Sequence, residues 1–276
     1  MPAHVQGTPE LVDTRARDPA AARQDSQLEL ALRAAGVRVR EFALIHIAEP
    51  SSPAVAREAL EHLEQWQLAV PVSPSAVHAV LRLRRQPWPA TCAVGLIGAA
   101  SREAFERALR ARGEPASALQ LIAASQAGAD SEALWQALRA WRACWRGTRV
   151  LILRGDGGRD WLAETLRAEG ACVQVVEAYR RVAPPADADR LLRLHGLLED
   201  GAAWLLASAA SVHNLCALLR AAKLEPAHAL ARQRALVHHP RVAQAARAAG
   251  FGRVDQVVFR AEALLQALHA GPRSPE

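Results

Sequence analysis

LELALRAAGVRV (Leu28–Val39) returns 134 positions later as LAETLRAEGACV (Leu162–Val173), without a gap. Leu28, Leu32, Arg33, Ala34, Gly36 and Val39 recur as Leu162, Leu166, Arg167, Ala168, Gly170 and Val173. Each copy reads as a helix closed by glycine, the residue that accepts a left-handed cap, with a strand following. A second match carries nearly the same offset. Ser73-Pro-Ser-Ala-Val-His and Ser208-Ala-Ala-Ser-Val-His share serine, valine and histidine 135 positions apart. Two like offsets, close to half of a 276-residue chain, imply two similar domains rather than a single sheet.

Around these repeats, short β-rich runs alternate with Ala/Leu/Arg segments of helical period. Strands are expected at Leu11–Arg15, Val37–Ile47, Leu68–Val72, Cys92–Ile97, Leu119–Ala123, Val150–Arg154, Cys172–Val182, Trp204–Ala207, Ala235–His238 and Val254–Phe259. Helices are expected at Ala21–Ala35, Ser75–Arg84, Ser101–Arg112, Ser131–Cys144, Arg159–Glu169, Ala188–Leu198, Ser211–Ala222, Val242–Ala249 and Glu262–His269. Such β-then-α alternation predicts the α/β class, with parallel sheets flanked by helices.

Composition bounds the function. Hydrophobic residues are 51% and charged residues 22%, enough for a sizeable core. Formal net charge is +6, and every cation except Lys223 among the 34 Lys+Arg is an arginine, a side chain whose planar fork grips carboxylates and phosphates. The arginines are spread over many helices rather than gathered in one stripe, which argues against nucleic acid as a partner. Cys92, Cys144, Cys172 and Cys216 lie far apart, excluding a disulfide scaffold or a zinc ribbon and fitting a reduced cytoplasmic compartment. MPAHVQGTPELVDTR has no signal-like apolar stretch, and no apolar run approaches the roughly 20 residues that cross a bilayer. A soluble intracellular protein without membrane contact is expected.

Several turns invite a ligand. Gly155-Asp-Gly-Gly-Arg159 follows a strand and opens a helix, exposing N–H groups beside the positive end of a helix dipole. It is neither G-x-G-x-x-G nor a P-loop, and a tight turn without ligand is the competing reading. Ser73 and Ser208 stand at strand-to-helix turns, where serine is a preferred N-cap and where ligands of parallel sheets also lie. His238-His239-Pro240-Arg241 forms another such turn; adjacent histidines on an extended segment point apart, so they cannot jointly hold a metal. Tyr179, the single tyrosine, sits in a long expected strand, either as packing or as a proton donor. Trp135, Trp141 and Trp145 read as core or interface residues around one helix. No nucleophile elbow supports a hydrolase.

VLILRGDGGRDWLAETLRAEGACVQVVEAYRRVAP (Val150–Pro184) closely resembles the central signature of the uroporphyrinogen-III synthase family. So does Asp130-Ser-Glu-Ala-Leu134 upstream of it. Thr14-Arg15 is similar to the family's opening Thr-Arg, Ser73 and Ser208 to its serine-bearing strand ends, and His239-Pro-Arg-Val-Ala243 with Gly250-Phe251 to its bacterial His-Pro-Arg turn. Three positions depart: Ala16 replaces proline, and Val72 and Ala207 replace the threonines before the two serines. Ser101 in Ile97-Gly-Ala-Ala-Ser101 stands for the threonine of the family's Gly-x-x-Thr turn.

The resemblance implies two similar domains joined by a two-stranded β-ladder. Domain 1 would comprise 8–40 and 183–272, domain 2 would be 46–176, and the ladder strands would span about 37–47 and 172–182, with hinge motion between the domains. It implies cyclisation of hydroxymethylbilane, a linear tetrapyrrole with eight carboxylates, to uroporphyrinogen III with inversion of ring D and loss of water, without a cofactor or metal. Tyr179 would be the general acid. Arg15, Ser73, Ser101, Arg154, Gly155, Gly158, Arg159, Ser208, Ser211, His239 and Arg241 would line the substrate cleft. A monomer is implied, with possible transient contact with the preceding pathway enzyme. The alternative is a catalytically inactive two-domain sensor that binds a tetrapyrrole or another anion.

Overall fold

A computed structural model describes residues 8–17, 27–124 and 130–270. In chain order they form β1 (Glu10–Asp13), α1 (Gln27–Ala34), β2 (Arg38–Glu41), β3 (His46–Ala48), α2 (Pro53–Glu61), β4 (Leu68–Pro71), α3 (Pro74–Leu83), β5 (Ala93–Leu96), α4 (Gly98–Ala111), β6 (Leu121–Ala123) and α5 (Ser131–Trp141). There follow β7 (Arg149–Gly155), α6 (Trp161–Ala168), β8 (Cys172–Val182), α7 (Ala188–Glu199), β9 (Ala203–Leu206), α8 (Ala209–Ala221), α9 (Pro226–Leu230), β10 (Arg234–Val237), α10 (Pro240–Ala248), β11 (Arg253–Gln256) and α11 (Ala261–His269). The first residues of the helix expected at Ala21–Ala35 lie outside the described residues, as does the end of the segment 183–272.

The chain divides into two compact units, Met1–His46 with Val182–Glu276, and Ile47–Arg181. The first holds a five-stranded sheet ordered β11-β10-β9-β1-β2, parallel throughout. The second holds a six-stranded sheet ordered β3-β8-β7-β4-β5-β6, parallel from β8 to β6. Read as β2-β1-β9-β10-β11 and β8-β7-β4-β5-β6, the two sheets match strand for strand in space, although β1 and β2 precede their sheet partners in the chain and β7 and β8 follow theirs. The sequence repeat is the local trace of that match. Both copies end in the same cap: Gly36 (φ 83°) and Gly170 (φ 90°) take the left-handed conformation. Their N–H groups bond to Arg33 and Arg167, while Val37 and Ala171 reach back to Leu32 and Leu166.

Each sheet is covered on both faces, and its inner strands β4, β5 and β9 are wholly apolar. Strand alternation divides the cores. Leu151 and Leu153 pack with Phe105, Leu109 and Val77 on one face of the second unit, and Val150 and Ile152 with Leu134, Trp135 and Leu166 on the other. In the first unit Trp204 and Leu206 pack with Phe42 and Leu215, while Ala203 and Leu205 pack with Leu32 and Leu264.

The single strand expected at Val37–Ile47 is divided. β2 stops at Glu41 because Phe42 (2% exposed) and Leu44 (0%) turn into the first unit's core, where Phe42 meets Trp204 edge to face. Backbone bonds from Phe42 to Asp13 and from Leu44 to Thr14, with Asn214 donating to the Leu44 carbonyl, hold this departure. The chain resumes as β3, which neighbours β8. Helices α2 and α9 were not anticipated; each begins with proline in its first turn, where the missing N–H costs nothing.

Candidate active site at the carboxyl ends of the strands

In the second unit β7 and β8 run in register as far as Arg154–Glu177, then slip by one residue so that Gly155 faces Tyr179. The Tyr179 ring lies over the glycine: a Cβ there would sit 2.6 Å from the ring carbon Cζ. Only glycine therefore admits this ring, which is 2% exposed. The phenol oxygen is 3.2 Å from Ser73 Oγ and accepts a long 3.4 Å bond from Arg181. Ser73 caps α3 in an extended conformation, its Oγ accepting from Ala76 N at 3.1 Å. The Tyr179 carbonyl accepts from Asp156 N, and the Asp156 carboxylate accepts from Arg181 N, tying the turn after β7 to the strand that carries the phenol.

The predicted arginines turn inward to their own loops. Arg154 donates to the carbonyls of Gly158 (2.8 Å) and Arg159 (3.0 Å) and pairs with Asp160 (2.9 Å). The Arg154 side chain runs close over Gly158, where a Cβ would meet its Cδ at 2.8 Å. Arg159 pairs with Glu132 on α5, whose N-cap is Asp130. What stays available is backbone. The α4 and α6 starts, beside Ile97 and Asp160, carry no side-chain cap. In the first turn of α4, Ser101 is fully buried with its Oγ unpartnered among the described residues. A cavity of about 180 Å³ opens beside these starts, walled by Val72, Ile97, Ile152 and Leu162 and rimmed by Ser131 and Arg154. It combines an apolar floor with N–H groups at its edge.

The first unit repeats the scheme. Ser208 caps α8 with φ −158°, ψ 156°, close to Ser73 at −161°, 162°, and accepts from Ser211 N at 3.1 Å. The Ser208 and Ser211 hydroxyls are 3.0 Å apart. His239 caps α10, its Nδ1 accepting from Arg241 N at 3.1 Å, which leaves the ring proton on Nε2. The Arg241 side chain is exposed. His238 lies on Phe259 with ring centroids 4.9 Å apart. Arg15 is held by buried Asp13 through a 2.6 Å ion pair, and Arg17 by buried Glu29 at 2.7 Å. Burial pulls the Arg17 guanidinium down, but Glu29, Asp13 and Glu41 outweigh it and hold Arg17 above its usual value.

The structure thus gathers Ser73, Tyr179, Arg154, Gly155, Gly158 and Arg159 at the carboxyl edge of one sheet, with Ser101 in the helix that follows β5. Arg15, Ser208, Ser211, His239 and Arg241 stand at the corresponding edge of the other. Asp13, Glu29, Glu132 and Arg181 were missed. Asp13-Thr-Arg-Ala-Arg17, with a carboxylate two and four residues from arginines, was the available signal.

The family model Uroporphyrinogen-III synthase HemD matches residues 26–266. The chain belongs to that family. A uroporphyrinogen-III synthase of Proteus mirabilis is 33% identical over 163 residues, 56% of this chain and 74% of that protein. One of Salmonella typhimurium (strain LT2) is 52% identical over a 50-residue stretch, 18% of this chain and 20% of that protein. The crystal structure of uroporphyrinogen-III synthetase from Helicobacter pylori 26695 superposes with a TM-score of 0.52 at 10% identity, covering 94% of this chain and 97% of that one. That likeness concerns the fold. Among the described residues, no helix is long and apolar enough to cross a membrane.

Proposed function

We propose that this protein is a lyase that closes hydroxymethylbilane to uroporphyrinogen III, inverting ring D and releasing water. The observation that carries the reading is the lone tyrosine seated on Gly155 with its phenol against Ser73, inside the span that matches the family. A substrate with eight carboxylates stays in water, which suits a cytoplasmic reaction.

The hydroxyl of the terminal ring leaves as water once it is protonated, and the ring nitrogen's electron pair makes an azafulvene. Attack from the substituted carbon of ring D gives a spiro intermediate that reopens and recloses as isomer III. Unguided closure gives isomer I, so the protein's principal work is to hold the crowded attack geometry. Tyr179 supplies the proton. Carboxylates are met by the N–H groups of the Gly155–Gly158 turn and of the α4 start with Ser101, and by Ser208, Ser211, His239 and Arg241 in the first unit. Arg154, Arg159 and Arg15 act mainly by shaping the loops, since their forks already hold Asp160, Glu132 and Asp13. A pyrrole face suits the apolar walls of the 180 Å³ cavity.

The test is to supply enzymatically generated hydroxymethylbilane and resolve the isomers by chromatography. Isomer III in excess of the spontaneous product is expected. Isomer I alone would overturn the assignment.

A further inference from the structure

Tyr179 is 2% exposed, so a proton leaving its phenol needs a way out. Among the described residues its phenol meets Ser73 and Arg181. Arg181 has only N–H donors, so the phenol oxygen accepts from it; either oxygen of the Ser73–Tyr179 pair can donate to the other, and among the described residues Ser73 Oγ is the one acceptor within reach of the buried phenol proton. Ser73 Oγ has two lone pairs; Ala76 N–H fills one at 3.1 Å, which leaves the other to take the Tyr179 O–H. With Tyr179 donating, the Ser73 proton is the one in this chain of bonds without an acceptor among the described residues. Ser73 is half-buried rather than sealed, and its neighbour Val72 lines the cavity beside the α4 and α6 starts.

We propose that Ser73 is the group that hands the proton to the departing hydroxyl, with Tyr179 behind it as the reservoir and Arg181 as the positioning residue for the phenol. The inference rests on the cyclase reading above. The C–O bond breaks with its electron pair on oxygen, which takes the Ser73 proton and leaves as water. Ser73 Oγ takes the Tyr179 proton in the same movement, and the phenolate faces the Arg181 guanidinium. The proton lost from ring D when the macrocycle finally closes returns along the same path, so no net proton is consumed.

The experiment compares Ser73→Gly, Ser73→Asn, Ser73→Thr, Tyr179→Phe and the double variant Ser73→Gly/Tyr179→Phe, measuring kcat, KM and isomer ratio with hydroxymethylbilane. Glycine and asparagine both serve as helix caps, so α3 keeps its start, and thermal unfolding verifies the fold. Expected are kcat losses of about 10²- to 10⁴-fold in Ser73→Gly, Ser73→Asn and Tyr179→Phe, with KM little changed. Ser73→Thr should recover most of the rate, and the double variant should be no slower than either single one. Wild-type kcat in folded Ser73→Gly and Ser73→Asn, or losses that multiply in the double variant, would overturn the relay while isomer III from the wild-type protein still upheld the cyclase reading. Wild-type protein that yields isomer I alone would remove both.

Discussion

Gly155→Ala asks whether the phenol is held where the chemistry needs it. The new Cβ would lie 2.6 Å from Tyr179 Cζ, 2.7 Å from Cε2 and 3.0 Å from the phenol oxygen. Non-bonded carbons settle at about 3.5–4.0 Å, so the ring must retreat by about 1 Å. It is rigid and buried at 2% exposure, so it cannot yield as the end of a flexible side chain would. Overpacking of this kind costs about 1–3 kcal/mol, which lowers the melting temperature by several degrees. The same displacement stretches the 3.2 Å contact with Ser73 past hydrogen-bond range. A lost proton donor is worth about 10²- to 10⁴-fold in rate, so turnover should fall far more than stability does. Calorimetry and the timed isomer assay on the same preparation separate the two effects. In a Tyr179→Ala background the added methyl meets no ring, and its stability cost should vanish. Gly155→Ala with wild-type melting temperature and wild-type turnover would refute the packing argument.

Gly252→Ala should be more damaging to stability, because its Cβ would meet the Ala231 carbonyl oxygen at 1.9 Å, a backbone atom that cannot step aside; calorimetry showing less loss than Gly155→Ala would contradict this. His46 has its pKa lowered from 6.5 by burial and by Arg190, with Asp187 opposing. The unfolded chain therefore binds that proton more readily, so His46's contribution is intact above about pH 6.5 and declines as pH falls below it. Denaturant midpoints should drop over that window in the wild type and drop less in His46→Gln; parallel curves would disprove the link. Thiol labelling of the folded protein should reach exposed Cys144 and Cys172 and spare buried Cys92, whose thiol burial pushes up to about 12. Rapid modification of Cys92 before unfolding would count against the packing of its core.

The fold was legible because its signals are local. Helix period, glycine caps and serine N-caps each depend on a few neighbouring residues, and they marked most elements to within a residue or two. The division of Val37–Ile47 was not legible. Phe-Ala-Leu-Ile continues the β-rich run, and only the distant Trp204 and Asn214 draw Phe42 and Leu44 out of the sheet. The same limit applies to the site. Ser73, Gly155 and Tyr179 could be named as functional types, but their meeting depends on a register slip between two strands. Arg154 and Arg159 could be counted as cations, whereas their engagement with Asp160 and Glu132 appears only in three dimensions.

Register makes the kinship of the two units explicit and also shows where it stops. Leu11 pairs with Ala203 as Val150 pairs with Leu68. Four residues beyond Leu11 and Val150 stand Arg15 and Arg154; five beyond Ala203 and Leu68 stand Ser208 and Ser73. Arginine and capping serine thus occupy matched places at both sheet edges, and in both places the arginine is neutralised by a nearby carboxylate. The difference lies in the next strand. β8 runs on to Val182 and brings a phenol over Gly155, whereas β2 ends at Glu41 and sends Phe42 into the core. Ser208 consequently pairs with Ser211, a hydroxyl of its own helix, where Ser73 pairs with a tyrosine. A shared frame for holding an anion is present twice, and a phenol only once. A reaction that protonates one leaving hydroxyl on a substrate studded with carboxylates asks for that asymmetry.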